Sequence, residues 1–289
     1  MKTITKDKIR FGFDASFEPV LTINPGETVC FETQDCYAEQ IDYDKKEFSL
    51  LDMKRNNPVT GPLCVNSAEP GDVLKVEIHD IIPDDHGVMC VRLGCGVYEV
   101  EGCHCRRFPI KDGVIYFDEG IEIPVRPMIG VIGTCPAKPC DTQSSGPHGG
   151  NLDIRDLGAG STIYLPVSVP GALLAIGDCH AVQGDGETAI CAMEMSAKVI
   201  VKVSLIKDGS DIPTPFIESK DAIFTTHADE SLDVASITAA RKMHRYVMQK
   251  TGLTDAQASM LLSLVGNLRI SQVVNPLKGC VMEFPKKYL

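Results

Sequence analysis

The sequence predicts a mainly β fold, a β-sandwich or barrel with a C-terminal helical pair, α+β overall. Three observations predict it. Glycine and proline (25 and 18 of 289 residues) punctuate the first two thirds at short intervals, with β-branched runs between them. From Leu232 to Val265 the apolar spacing changes to that of a helix. No regular alternation of strand and helix appears, which argues against a doubly wound parallel sheet.

The elements follow in order. After the turn Glu69-Pro70-Gly71-Asp72, residues Val73 to His79 alternate, with Leu74, Val76 and Ile78 on one face and Lys75, Glu77 and His79 on the other. Gly113–Phe117 and Ile121–Val125 are short strands, and Ala197–Leu205 is a long one. Ala235, Ala239, Met243, Tyr246 and Val247 recur at helical spacing, so a helix runs from about Leu232 to Lys250 and Gly252 ends it. Thr254-Asp255-Ala256-Gln257 fits a capping box that opens a second helix to about Val265. The tail, Ile270 to Met282, is again strand-like. We read a single domain over residues 1–289: β-rich 1–228, a helical insert at about 229–266, and closing strands 267–289.

Charge and composition exclude several classes. At this length folding buries about three quarters of the chain's surface, so no disulfide staple is required. A net charge of −11 opposes nucleic-acid binding, which needs clustered cations. The basic pairs Arg106-Arg107, Arg241-Lys242 and Lys286-Lys287 are too short to track a phosphate backbone. The charged start lacks an apolar core segment and no stretch reaches the roughly 20 apolar residues of a membrane span, so a cytoplasmic protein without membrane contact is expected. Twelve cysteines are then mostly free thiols, many of them small buried hydrophobes. Cys95, Cys103 and Cys105 with His104 lack the paired C-x-x-C spacing of structural zinc sites.

Two glycine-flanked segments concentrate polar groups. In Gly177-Asp178-Cys179-His180-Ala181-Val182-Gln183-Gly184-Asp185-Gly186-Glu187, Asp178 and His180 follow an apolar run and lie two apart, so in extended chain they converge while Cys179 points away. A carboxylate and an imidazole on one face suit zinc or a similar divalent cation. Gly184 and Gly186 let the chain reverse and bring Glu187 over the same spot. In Ser145-Gly146-Pro147-His148-Gly149-Gly150-Asn151-Leu152-Asp153, His148 can be a ligand, Asn151 can donate to a substrate carbonyl, and Asp153 shares the face of Asn151. Both segments also read as ordinary tight turns. Asp35, in Glu32-Thr33-Gln34-Asp35-Cys36-Tyr37, either completes a metal shell or turns the chain at a strand end.

Taken with Asn57-Pro58-Val59-Thr60-Gly61-Pro62, Ala68-Glu69-Pro70-Gly71-Asp72-Val73-Leu74 and Ile270-Ser271-Gln272-Val273-Val274-Asn275, the two segments resemble the acetamidase/formamidase family over roughly residues 20–285, in the same order. The resemblance implies a mainly β fold, a homo-oligomer (dimer or higher), a divalent cation, and hydrolysis of a small amide such as formamide or acetamide to carboxylate and ammonia. The chain departs from the family pattern in its cysteines at 95–105 and 135–140 and in lacking the long insertions of some members.

On that footing Asp178, His180 and His148 are the expected metal ligands, with Asp35 a fourth. Glu187 is the general acid/base, Asn151 orients the amide, and Asp153 holds a ligand in place. The donor set suits zinc first, with manganese, nickel or calcium open. Two rival readings stand beside this one. Cys135 in Gly133-Thr134-Cys135-Pro136 could attack the amide as a thiol. Alternatively, a structural cation merely pins the loops of a non-catalytic binding module.

Overall fold

Valine- and isoleucine-rich alternation builds the long strands of the computed structural model, which describes residues 1–41 and 51–289 of the chain. In Ala197–Ile206, Val199, Val201 and Val203 are fully buried while Lys198 faces solvent. This strand pairs antiparallel with Glu27–Thr33 on one side and Val73–Pro83 on the other. Thr162–Pro166, Phe216–Glu218, Ala222–Asp229, Lys278–Pro285 and Asn267–Gln272 continue the sheet, and Lys2–Ile4 edges its other end. A second sheet is centred on Leu174–His180, whose seven residues are all buried. Its neighbours are Met128–Gly133 on one side, and Val59–Val65 and Glu194–Met195 on the other pairings.

The two sheets share one apolar layer. Val29, Phe31, Val76 and Val201 of the first belong to the same buried cluster as Leu63, Ile129, Leu174 and Ile176 of the second. Each sheet thereby hides its hydrophobic face, the condition for a stable sandwich. The expected mainly β fold with a C-terminal helical pair is therefore what the chain forms.

Helix α1 (Leu232–Thr251) lays Ala235, Ala239, Met243 and Val247 against the strands Ala222–Asp229 and Lys278–Pro285. Ser231 caps its start, and Gly252 at φ +70° ends it, donating to the Met248 carbonyl. The capping box is present: the Thr254 hydroxyl accepts from the Gln257 N–H and the Gln257 side chain accepts from the Thr254 N–H, opening α2 (Asp255–Val265). The tail resolves into two strands, Asn267–Gln272 and Lys278–Pro285, that pair antiparallel. No helix among the described residues is long and apolar enough to cross a membrane.

Ten cysteines are free, as expected of most of them, but Cys90 and Cys105 are bonded. Antiparallel pairing of His86–Arg92 with Cys103–Lys111 sets these two directly opposite each other, Cα to Cα 4.2 Å. The suspected group around Cys95 does not gather. Cys103 is exposed, Cys105 is committed to Cys90, and the His104 ring lies 2.9 Å from the Glu101 carbonyl oxygen.

Candidate active site

The strand Leu174–His180 delivers its polar end to the edge of the apolar layer. Cys179 faces the core, and Asp178 and His180 meet on the other side, with His180 Nε2 3.5 Å from Asp178 Oδ1. Glu194 stands opposite His180 in the register of the neighbouring strand, and its Oε2 is 3.2 Å from the same nitrogen. The other Glu194 oxygen accepts from the Ala192 N–H at 3.0 Å.

A glycine makes room for this group. On Met128–Gly133, a Cβ at Gly130 would stand 2.7 Å from Asp153 Oδ1, from Asp178 Oδ2 and from the Asp178 carbonyl oxygen. The N–H groups of Leu152 and Asp153 both donate to the Gly130 carbonyl, at 2.9 and 3.2 Å. Asn275 donates to Asp153 Oδ2 at 2.6 Å. Glu187 returns over the same spot after Gly186, whose φ is +97°. Ligand atoms of Asp153, His180 and Glu187 lie within 4.8 Å of one another, as do those of Cys36, Asp178 and Glu194. Asp153, Asp178 and Glu187 all hold left-handed backbone, at φ 46°, 52° and 44°. Such conformations cost about 1–3 kcal/mol each and persist where the surroundings over-determine them.

Burial sets the electrostatics. Asp153, Asp178, His180, Glu187 and Glu194 are all buried. Desolvation, then the neighbouring carboxylates, push the Asp153 and Glu187 carboxyls above their ordinary range. Burial likewise raises Glu194. For His180, burial opposes the charged form, but Glu194 and Asp178 outweigh it and raise the imidazole well above its usual value.

The hydrogen bonds around Gln183 assign the ring. The Gln183 amide nitrogen donates to the Asp153 and Ser271 carbonyls at 2.8 and 3.3 Å, so its Oε1, 2.8 Å from His180 Nδ1, accepts. Nδ1 therefore carries a proton, and Nε2 faces the carboxylates. Nε2 has no hydrogen-bond partner, and neither have Asp153 Oδ1, Glu187 Oε2, Glu194 Oε2 or Asn151 Oδ1. Four buried carboxylates around one imidazole, two of them on its Nε2, with several buried polar atoms left without a hydrogen bond, fit a divalent cation.

The group opens on a cleft of about 170 Å³, whose lining includes Cys36, Asn151, Asp178, Glu187, Glu194 and Asn275. Asn151 Nδ2 donates one hydrogen to the Gln143 carbonyl at 3.3 Å, and its Oδ1 has no hydrogen-bond partner, so the side chain offers an acceptor beside the donor expected from sequence.

Two predicted ligands are not brought to the group. Met128 pairs with His180, whereas Gly133 pairs with Gly149 and the Thr134 N–H bonds the His148 carbonyl. Five residues of strand, about 17 Å, therefore separate the attachment points of the two imidazoles. The His148 ring instead packs edge-on against Phe13, with Nε2 3.5 Å from Cys140 Sγ. Asp35 turns the chain: its Oδ1 accepts from the Tyr37 and Glu39 N–H groups at 2.9 and 3.0 Å. Cys135 and Cys179 do not line the cleft, and burial pushes them up to about 11 and about 12.

Sequence reasoning missed Glu194, Gly130, Asn275 and Arg269. An acid between Met193 and Met195, and a lone glycine between Ile129 and Val131, were the available signals. Arg269 ties the two loops together. Its guanidinium pairs with Asp156, with Glu283 at 3.0 Å and with Asp185 at 3.6 Å, so it clasps the segments after Asp153 and before Glu187.

A model of the acetamidase/formamidase family matches residues 5–108 and 137–287. The fold superimposes on the crystal structure of an acetamidase from Bacillus halodurans with a TM-score of 0.97, at 39% identity, over 99% of this chain and 98% of that one. For an acetamidase from Yersinia enterocolitica the TM-score is 0.93, at 30% identity, over 99% and 92%. A formamidase of Methylophilus methylotrophus is 28% identical over 255 residues, which cover 66% of this chain and 62% of that protein. The chain thus spans about 62% of the length of the first curated relatives it matches.

Two outcomes follow from this geometry. Gly130→Ala forces a methyl group onto three oxygens. It should lower stability by about 1–3 kcal/mol in urea unfolding and strip divalent metal from the purified protein, as read by elemental analysis. Metal content equal to wild type would show that Gly130 is not the floor of a metal centre. His148, held at about 4 by burial, is neutral in the fold and basic in the unfolded chain. Its contribution is complete above about pH 6.5 and is lost as pH falls toward 4, up to about 3 kcal/mol. His148→Gln should flatten that part of the stability–pH curve.

Proposed function

Because the chain belongs to the acetamidase/formamidase family, we propose that it hydrolyses a short linear amide, formamide or acetamide in type, to carboxylate and ammonia with a divalent cation. The observation that carries this reading is His180 Nε2, which makes no hydrogen bond, its other nitrogen pinned by Gln183, set between two buried carboxylates. Ligands about 2.1 Å from a tetrahedral ion stand about 3.4 Å apart. His180 Nε2 lies 3.5 Å from Asp178 and 3.2 Å from Glu194, which supports these three as the residues that hold the cation.

When bound, a divalent cation supplies a Lewis acid for the carbonyl and lowers the pKa of water in the site. Among the divalent ions, zinc matches this mixture of imidazole and carboxylates, and manganese or nickel suits it as well. Glu187 is the general acid/base. It takes the proton of the attacking water and returns it to the leaving nitrogen, and its raised affinity for protons suits both halves of that task. Asp153, with an oxygen within 4.8 Å of one of Glu187 and fixed by Asn275, keeps the proton shared between two carboxyls rather than lost to solvent. Asn151 Oδ1 accepts from the substrate N–H and so turns the carbonyl toward the cation-holding side.

The cleft volume supports a small substrate. About 170 Å³ is well below the ~300–1,000 Å³ of sites for larger ligands. The reading also includes a homo-oligomer in the cytoplasm, and light scattering on native protein checks the assembly: a monomer mass removes that part.

The decisive experiment pairs elemental analysis with an ammonia-release screen over short amides. Glu187→Gln should reduce turnover by about 100-fold or more and leave metal content nearly intact, whereas His180→Asn should lose the metal itself. Full turnover after chelation would remove the cation from the reaction. No ammonia from any short amide at full metal occupancy would leave a binding module with a structural ion.

A further inference from the structure

Cys36 enters the site from the turn made by Asp35. The Asp35 carboxylate holds the Tyr37 and Glu39 N–H groups, and the Cys36 carbonyl accepts from the Asn57 N–H at 2.7 Å. Both sides of Cys36 are thus fixed, and its side chain lines the cleft. Its sulfur and one oxygen each of Asp178 and Glu194 lie within 4.8 Å of one another, all three residues buried. Glu194 is 1% exposed, lines the same cleft as Cys36 and Asp178, and its Oε2 has no hydrogen-bond partner.

We propose that Cys36 is a thiolate ligand, completing with Asp178 and Glu194 a site for a thiophilic divalent cation. The inference rests on the metal-dependent reading above and goes beyond it by naming a soft ligand and hence the class of ion. The spacing supports it. With metal–sulfur about 2.3 Å and metal–oxygen about 2.0–2.2 Å, two donors on a tetrahedral ion stand about 3.4–3.6 Å apart. The three atoms, within 4.8 Å of one another, reach that spacing by closing about 1.4 Å at most. Binding is a substitution of proton by metal: the Cys36 S–H bond breaks, the sulfur pair passes to the ion, and the proton leaves to solvent. No electron is transferred.

The chemistry sorts the candidate ions. Calcium and magnesium take oxygen donors and gain nothing from a thiolate, whereas zinc, cobalt and cadmium do. A carboxylate-rich pocket that would otherwise admit hard ions is thereby turned toward soft ones. Cys191, the neighbouring cleft thiol, is directed instead to the Cys90 backbone, its sulfur 3.3 Å from that carbonyl oxygen, and serves as the internal control.

The test is cobalt(II) titration of the metal-stripped full chain, followed by absorption and by equilibrium dialysis. Wild-type protein should show the near-ultraviolet thiolate-to-cobalt charge-transfer band in step with the first cobalt bound. Cys36→Ser should lose that band and bind cadmium about tenfold or more weakly, while Cys191→Ser keeps it. Cys36→Asp guards against a folding defect: it should retain cobalt by dialysis but show no band. Cobalt bound without the band in wild type, or a band that survives in both Cys36 variants, overturns the thiolate and leaves the Asp178–His180–Glu194 reading intact. No cobalt bound at all overturns both.

Discussion

The structure turns on one electrostatic constraint: four carboxylates are buried around a single imidazole. Asp153, Asp178, Glu187 and Glu194 are each at most 8% exposed, and His180 is fully enclosed. Two like charges 4 Å apart cost about 4 kcal/mol even at an effective dielectric of 20. A whole domain is stable by only about 5–15 kcal/mol. Such a cluster cannot remain fully ionised on its own. Protons or a cation must enter it, and each raised carboxyl expresses that demand. Asp178, Glu187 and Glu194 also line a small cleft, so whatever neutralises the cluster is held beside it.

The rest of the fold is arranged to tolerate this. Gly130 gives up its side chain so that two carboxylates can approach the sheet. The closing strand stitches the two loops together: the Ser271 carbonyl accepts from the Gly186 N–H at 3.0 Å, and the Ser271 hydroxyl donates to the Leu152 carbonyl at 3.3 Å. Arg269, one strand-turn earlier, binds Asp156 and Asp185, which lie three residues after Asp153 and two before Glu187. These contacts hold two carboxylate residues, Asp153 and Glu187, in left-handed backbone that an isolated loop would abandon. The family's closing stretch, whose role was invisible in sequence, is thus the third wall of the site.

What the sequence disclosed was local. The parity of Asp178 and His180, the glycine-permitted return of Glu187, and the Thr254–Gln257 capping box each depend on spacing within one segment, and the structure places all three as that spacing implies. What it hid depends on register. Glu194 faces His180 only because Glu194–Met195 pairs with the end of Leu174–His180. His148 is carried away from His180 because His180 pairs with Met128 at one end of Met128–Gly133, whereas Gly149, next to His148, pairs with Gly133 at the other. At Asp35-Cys36 the residue type best suited to a ligand was read one position early. The carboxylate makes the turn, and the thiol beside it reaches the site.

A carboxylate-rich centre with one imidazole also divides the chemical work in a particular way. Anionic donors satisfy much of a cation's charge, so such an ion polarises a carbonyl less than one held by three neutral imidazoles. In the proposed amide hydrolysis the reaction would then lean harder on proton delivery, because an amine leaves only after its nitrogen is protonated. Burial, then the neighbouring carboxylate, raises the proton affinity of both Glu187 and Asp153, which suits the pair to that proposed task. One constraint, the crowding of buried carboxylates, would thereby serve both the proposed cation and the proposed acid.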